Sequence, residues 1–508
     1  MGSRKIGVLL SYVMMVFEVL STLLLTPYII RTLGQAEYGV YKLSASVVAY
    51  LLLLDLGVGN AVIRFTSKYR ATGDVEQGQK FAGVSIIYYS AIAVITIICG
   101  VFLIHIYPTI FANGLSSDEV ALGQRLLRIT VCNAAVTLAT AVYANIIIAY
   151  EYFAVSRICS IVQILLKILM TVIVLKLSMG SVGIVTVNLI TTILCRGIFV
   201  AFVFLKIKIK PIFHGIQMSF IKEIIIYSSL ILLQMVATQI NACADQILLG
   251  MLVSSSSVII AVYSVGTQIV QYFQSIGSAF NNILMPGVVK MVEGNVGSDR
   301  LCDEMIRIGR IIFMVLVLIW GCFLVFGNQF VVLWAGNKNT QAYYVAIILM
   351  TAYTLILPQS IGSQILWAMN EHKEQAILKI IIVILNIILT GLLIKWNPLI
   401  GATIGTFISL ALGDIGVMNI IFKHKIGINL AKYYTELLKG ILPCIIVASI
   451  FGALFKLIGL SGWIGLIVNI GVMCIIYFAE MWFWGMKQSE KRIIYSVMSK
   501  IGIKSKNI

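Results

Sequence analysis

The sequence is poor in charge. Asp, Glu, Lys and Arg make up only 11% of its 508 residues, against roughly 25% in a soluble domain, so most of the chain belongs in lipid or against segments that are. Long polar stretches are missing too. Every connector between apolar runs is about 20 residues or fewer, which leaves no room for a soluble catalytic domain. The nine cysteines include no CxxC pair and the four histidines stand apart, which excludes a disulfide framework and a metal site. The cysteines are expected to fill helix–helix packing. No GxxxxGK[ST] stretch occurs, so ATP hydrolysis by this chain is not expected. No cofactor is implied.

Acidic residues are the scarcer sign, 20 against 37 basic, for a net charge of +17. Such an excess raises nucleic acid as a partner. Its distribution argues against one, because Lys and Arg sit in short connectors rather than on one basic face. A cleavable signal peptide is also excluded: the first apolar run, Ile6 to Ile30, is far longer than the roughly 7–15 residues of an h-region.

What the sequence does have is long apolar runs, with mean hydropathy +1.02. A run of about 20 apolar residues crosses the roughly 30 Å hydrocarbon core as a helix. About 14 such spans are predicted, near 6–30, 40–63, 82–106, 126–149, 157–177, 182–205, 222–249, 258–285, 308–330, 342–367, 375–395, 400–422, 436–458 and 461–486. The fold class is all-α integral membrane. With the N-terminus in the cytoplasm, 27 of the 37 basic residues fall in inner segments and eight in outer ones, so the positive-inside rule places both termini in the cytoplasm.

The spans repeat. Lys176 and Lys395 each close a span, Gly183 and Gly401 each open the next, and Lys206-Ile-Lys208 matches Lys423-His-Lys425, all at offsets of 217 to 219. Six spans recur as six, a parallel repeat of the kind found in transporters. The expected organisation is a six-helix bundle over 1–210, a second over 211–430, and two additional helices with a cytoplasmic tail over 431–508.

Charges inside a span cost about 2.5–3.5 kcal/mol even on lenient scales and usually face a bundle interior or a wet cavity. They are Glu18, Asp55, Lys167, Arg196, Asp245 and Asp414. Helical spacing places Gln163 with Lys167, Asn188 and Thr192 with Arg196, Gln234 with Asp245, and Gln271 with Gln274, each set on one face. Lys167 and Arg196 both lie in the first half, and cationic side chains are the usual partners of phosphate. They therefore predict a phosphate or pyrophosphate site, with Gln163, Gln234 and Gln271 as further contacts. The carboxylates Glu18, Asp55, Asp245 and Asp414 are ion-coupling candidates, for H+ or Na+. Asp55-Leu-Gly-Val-Gly-Asn60 reads either as a broken helix or as glycines permitting close helix packing. Pro27, Pro286 and Pro358 predict kinks.

The hairpin Pro27-Tyr-Ile-Ile-Arg-Thr-Leu-Gly with Glu37-Tyr-Gly-Val-Tyr41, then Leu54-Asp-Leu-Gly-Val-Gly59 and a basic tail, resembles the start of the polysaccharide-type lipid-linked oligosaccharide flippases. These belong to the multidrug/oligosaccharidyl-lipid/polysaccharide (MOP) exporter superfamily. The resemblance implies two six-helix bundles that alternate between inward and outward openings. It implies a cargo of undecaprenyl-pyrophosphate carrying an oligosaccharide repeat unit, flipped across the bacterial cytoplasmic membrane for surface polysaccharide biosynthesis. Coupling to an ion gradient, a polysaccharide polymerase as pathway partner, and Arg31 and Arg64 as gate or leaflet-edge contacts of the cargo are further implications. The main rival is a cation-coupled multidrug antiporter of the same superfamily, which would use acidic rather than basic cavity residues. A polymerase or glycosyltransferase would need a large outer loop, and a purely structural partner would need no charge at mid-span.

Overall fold

The computed structural model describes residues 2–213, 218–294, 296–369, 371, 373–492 and 495, in helices, turns and irregular segments with no strand among them. In lipid only a helix pairs its own backbone donors and acceptors locally, and the long apolar runs leave the chain no other choice. Among the described residues 11 helices are long and apolar enough to cross a membrane, or 12 if one bent pair counts as a single span. One of the 11, Val13–Thr72, is 60 residues long and holds the first two predicted runs.

By its internal contacts the chain divides into two compact units, one of 1–264 with 387–402 and one of 265–386 with 403–508. The bundle boundaries expected at 210 and 430 rest on the internal repeat.

The first unit begins with α1 (Gly2–Leu51), α2 (Val58–Thr72) and α3 (Val75–Ile110), followed by α4 (Ser117–Ala139), α5 (Ala141–Ala149), α6 (Phe153–Lys176) and α7 (Gly180–Phe202). Helix runs through Pro27 and is interrupted at Gly34, with φ 76° and ψ 170°, a region essentially open to glycine alone. Between the first two predicted spans the only non-helical backbone within Gly2–Leu51 is thus this one residue. Between α1 and α2 a short 3-10 turn, Leu52–Asp55, ends on Leu56 and Gly57, both left-handed. Asp74 caps α3, and Ser116 with Glu119 forms a reciprocal capping box on α4, so their first backbone donors are satisfied. A core of Val62, Phe65, Phe81 and Tyr89 joins α2, α3, α5 and α7 at one end of the unit. Next come α8 (Met218–Leu252) and α9 (Ser256–Glu293).

Then follow α10 (Ser298–Ala335), α11 (Ala342–Ile356), α12 (Ser360–Ala368), α13 (Lys373–Leu393), α14 (Pro398–Leu410) and α15 (Met418–Lys425). The chain ends with α16 (Leu430–Leu438), α17 (Ile441–Lys456) and α18 (Gly462–Glu480). Pro358 lies in the break between α11 and α12, which are bent by 45°, as expected of a residue that cannot continue the helical ladder. The side chain of Pro286 lies outside the described residues. A π-helical segment, Ala411–Val417, separates α14 from α15 and carries Asp414. All nine cysteines are free, and five are buried.

Candidate functional site

The cationic residues of the first unit are positioned by α1, α6 and α7. Lys167 lies on α6 and is solvent-accessible. It is within electrostatic reach of two residues of α1, Glu18 and Lys42. One turn before Lys167, Gln163 donates its Nε2 to Thr192 Oγ1 of α7 at 3.5 Å, a weak bond by its length. Arg196, one turn beyond Thr192, is half-buried with its guanidinium 5.8 Å from the Phe199 ring. One turn before Thr192, Asn188 hydrogen-bonds Tyr41 of α1. The polar stripe read along α7 is therefore a real face, turned to α1 and α6. Lys167 and Arg196 thus set two positive charges on neighbouring helices that cross the membrane.

Lys42, on α1, sits two residues inside the second apolar run, and that position is its signal in the sequence. Arg31 and Arg64 are both exposed, Arg31 three residues before the Gly34 break and Arg64 on α2 with its guanidinium 5.9 Å from the ring of Phe65. Gln271, in the second unit, accepts from Gln268 at 3.1 Å and makes local contacts along α9. The Gln234 side chain lies outside the described residues.

The carboxylates are in four different settings. Glu18 is exposed. Asp55, at the helix break before α2, accepts the Tyr89 hydroxyl of α3 at 2.6 Å. Both readings of the glycine motif hold at once: the helix is broken at Leu56-Gly57, and a Cβ on Gly59 would meet the Asn145 amide at 2.9 Å. Asp245, 4% exposed, accepts from the Tyr263 hydroxyl and from Thr390 Oγ1 at 3.2 Å. Asp414 pairs with Lys379 at 2.6 Å. Its carbonyl accepts from Gln359 Nε2 at 2.5 Å, beside the Pro358 bend, and Gln359 Oε1 accepts in turn from Tyr434 at 3.1 Å. No group of three or more metal-ligating side chains stands together among the described residues.

The Glu37–Tyr41 motif proves to be a joint. Glu37 Oε1 accepts from the Ser181 backbone N–H at 2.6 Å, which satisfies a donor in the first turn of α7. Tyr38 and Val40 are buried. Gly39 lies so close to the Ser257 backbone that a Cβ there would run into its carbonyl.

Over residues 5–292 the chain matches the family described as polysaccharide biosynthesis protein. No curated protein matches it by sequence. Among solved structures, the lipid II flippase MurJ in an inward closed conformation is similar with a TM-score of 0.72 at 15% identity, over 98% of this chain and 99% of that one. An inward-facing multidrug resistance MATE family transporter of the MOP superfamily is similar with a TM-score of 0.63 at 16% identity, over 80% and 96%. A MOP superfamily transporter from Pyrococcus furiosus Vc1, whose binding pocket is described as having reverse polarity, gives 0.56 at 18%, over 83% and 97%. Identities this low speak for a shared fold. The family match spans more than half of the sequence, and the chain belongs to the polysaccharide biosynthesis protein family, as a multi-pass membrane protein with the fold of the MOP transporters.

Proposed function

We propose that the protein is an alternating-access flippase that moves an undecaprenyl-pyrophosphate-linked oligosaccharide repeat unit across the bacterial cytoplasmic membrane for surface polysaccharide biosynthesis. The observation that carries this reading is the placement of Lys167 on α6 and Arg196 on α7, each one turn from the Gln163–Thr192 contact that joins the two membrane-spanning helices. Like charges placed together there are costly unless an anion or water answers them. A pyrophosphate does so, and Lys167, Arg196 and Gln163 on the facing stripes of α6 and α7 are its proposed contacts. Gln234, Gln271, Arg31 and Arg64 are proposed as further contacts along the path. The proposed moving parts are the bundles 1–210 and 211–430, with 431–508 as an added pair of helices and both termini in the cytoplasm.

A sugar–pyrophosphate headgroup needs such a path because its charges and hydroxyls are expensive to bury unpaired. The step is translocation, with no bond made or broken, so no enzymatic activity is proposed. Coupling to H+ or Na+ would draw on the carboxylates. Asp245 and Asp414 are the buried members of the set, and Asp414 has Lys379 as its counter-ion. Glu18 and Asp55 complete the proposed set.

The rival reading, a cation-coupled multidrug antiporter, needs an accessible carboxylate to meet a cationic drug. Asp245 and Asp414 are buried, Asp55 is held by Tyr89, and Glu18 has Lys167 within electrostatic reach. That pattern favours the anionic cargo. Mass spectrometry of polyprenyl-linked saccharides, in cells with and without the protein, tests the proposal. Build-up of one polyprenyl-pyrophosphate oligosaccharide with loss of a surface polymer is expected. Unchanged lipid-linked sugars together with new sensitivity to cationic drugs would favour the antiporter.

A further inference from the structure

The segment that follows α7 alternates in the sequence: Lys206-Ile-Lys-Ile-Lys-Pro-Ile-Phe213. In extended backbone such alternation sends successive side chains to opposite sides. The structure separates the two residue types by a different backbone route. After α7 the chain makes a π-helical turn, Val203–Ile207, passes Lys208 in a left-handed conformation (φ 58°), and runs without regular structure over the start of α3. Ile212 N–H donates to the Gln79 carbonyl at 3.1 Å. Beneath it Gly83 lies so close to the Ile212 carbonyl that there is no room for a Cβ. Ile207 and Ile209 pack on the core of Phe65 and Phe81, while Lys206, Lys208 and Lys210 are exposed. The segment is thus a strap fastened by its apolar side, with a row of lysines held outward.

Several other lysines of the chain have carboxylate partners. Lys425 is paired with Glu371 and Glu374, Lys432 with Asp303, and Lys487 with Glu436. Among the described residues no carboxylate pairs with Lys206, Lys208 or Lys210. Under the strap is a cavity of about 210 Å³ lined by Arg70, Asp74, Tyr150 and Lys208. Arg70 stands 5.2 Å from the Tyr150 ring and donates to the Ala149 carbonyl at 3.3 Å. Asp74, the one acid at the cavity, is occupied in accepting the Gln77 N–H at 3.1 Å. Beside the lysines, Leu205 and Phe213 are 76% and 53% exposed.

We propose that the 206–213 strap and the cavity beneath it form a binding site for the headgroup of an anionic phospholipid in the adjacent leaflet. The partner must carry negative charge for the uncompensated lysines and an apolar body for Leu205 and Phe213. A phospholipid has both, and it presents them at the depth where lysines reach headgroups while their apolar neighbours enter the acyl region. An inorganic anion lacks the apolar body. Juxtamembrane basic residues each strengthen attraction to an anionic surface by about fivefold. Because the strap is already immobilised on the bundle, little ordering has to accompany binding.

The test uses the full chain in phosphatidylcholine bilayers containing a small fraction of a photoactivatable phosphatidylglycerol or, separately, of the matching phosphatidylcholine. Crosslinked sites are read by peptide mass spectrometry. The peptide that holds 205–213 is expected to capture phosphatidylglycerol at least about fivefold more than phosphatidylcholine. The preference should shrink in high salt, which screens exposed charges. It should vanish in the combined Lys206→Gln, Lys208→Gln, Lys210→Gln protein and survive in the corresponding triple Lys→Arg protein, which keeps the charge should the glutamines disturb folding. Equal capture of the two lipids by the wild type would overturn the proposal and leave an acidic protein partner as the better occupant. An unchanged preference in the triple Gln protein would overturn it as well, by placing the selectivity elsewhere.

Discussion

Arg310 and Glu490 form a buried ion pair, Nε to Oε1 at 2.5 Å, with side chains only 1% and 4% exposed and 180 residues between them in the chain. The other nitrogens of the guanidinium donate to the carbonyls of Glu436, Lys439 at 2.8 Å and Gly485 at 3.0 Å. The last carbonyls of a helix have no partner within it, and Arg310 supplies one where α16 and the π-turn after α18 end. Lys487 closes the ring: its N–H donates to Glu490 at 2.7 Å and its ammonium pairs with Glu436 at 2.6 Å. One planar fork on α10 thereby ties down three separate stretches of the C-terminal third of the chain.

Replacing Arg310 by Ala leaves Glu490 and several carbonyls buried without their donor, and is expected to destabilise the second unit by about 3–5 kcal/mol. Arg310→Lys restores the charge without the fork and should recover only part of this. Thermal unfolding of the purified protein in detergent reads both. A wild-type melting temperature for Arg310→Ala would show that the pair contributes nothing.

Three glycines make a graded test of backbone geometry. Gly34→Ala places a side chain at φ 76°, ψ 170° and should cost about 1–3 kcal/mol. In Gly39→Ala the new Cβ meets the Ser257 backbone, and the cost is again about 1–3 kcal/mol. Gly391, inside α13, has nothing within 4 Å of its would-be Cβ, so Gly391→Ala should be neutral or stabilising by up to about 1 kcal/mol. Melting temperatures that fail to separate Gly391 from the other two would contradict the packing described.

Asp55 has a structural task at the helix break and a proposed one in ion coupling, and two substitutions separate them. Asp55→Asn keeps an oxygen for the Tyr89 hydroxyl, so stability should change little, whereas Asp55→Ala leaves that hydroxyl without its acceptor and should cost about 1–3 kcal/mol. If Asp55 takes part in coupling, the Asn variant is stable but transports poorly. Normal transport by a stable Asn variant would assign the residue to the fold alone.

Lys167→Ala and Arg196→Ala are expected to leave melting temperatures near wild type, since both side chains are at least partly accessible, and to reduce surface-polymer export by tenfold or more (about 1.4 kcal/mol or above). Lys167→Arg should retain a measurable fraction, as charge is kept. Full export by both Ala variants would move the cargo site away from α6 and α7.

Much of this was legible from residue order. The stripe Asn188, Thr192, Arg196 is local, one turn per step, and the structure keeps it as one face because helix geometry alone sets that spacing. Pro358 announced a bend for the same local reason. The Glu37–Tyr41 motif drew attention without showing its role, because its partners Ser181 and Ser257 lie far along the chain. The sequence marks neither Glu490 as the counter-ion of Arg310 nor Lys379 as that of Asp414, because the partners stand 180 and 35 positions apart.

The sequence by itself determined that the chain is a bundle of membrane-crossing helices and where most of them start and stop. Hydrocarbon permits a backbone only structures that satisfy its own hydrogen bonds, and a run of some 20 apolar residues has one way to do so. Only the tertiary structure decided what each intramembrane charge does. Whether a carboxylate is a counter-ion, a hydroxyl acceptor or an exposed group depends on which side chain stands within about 3 Å of it, and those neighbours come from other helices. Asp414 with Lys379 and Asp55 with Tyr89 are distinctions of that kind.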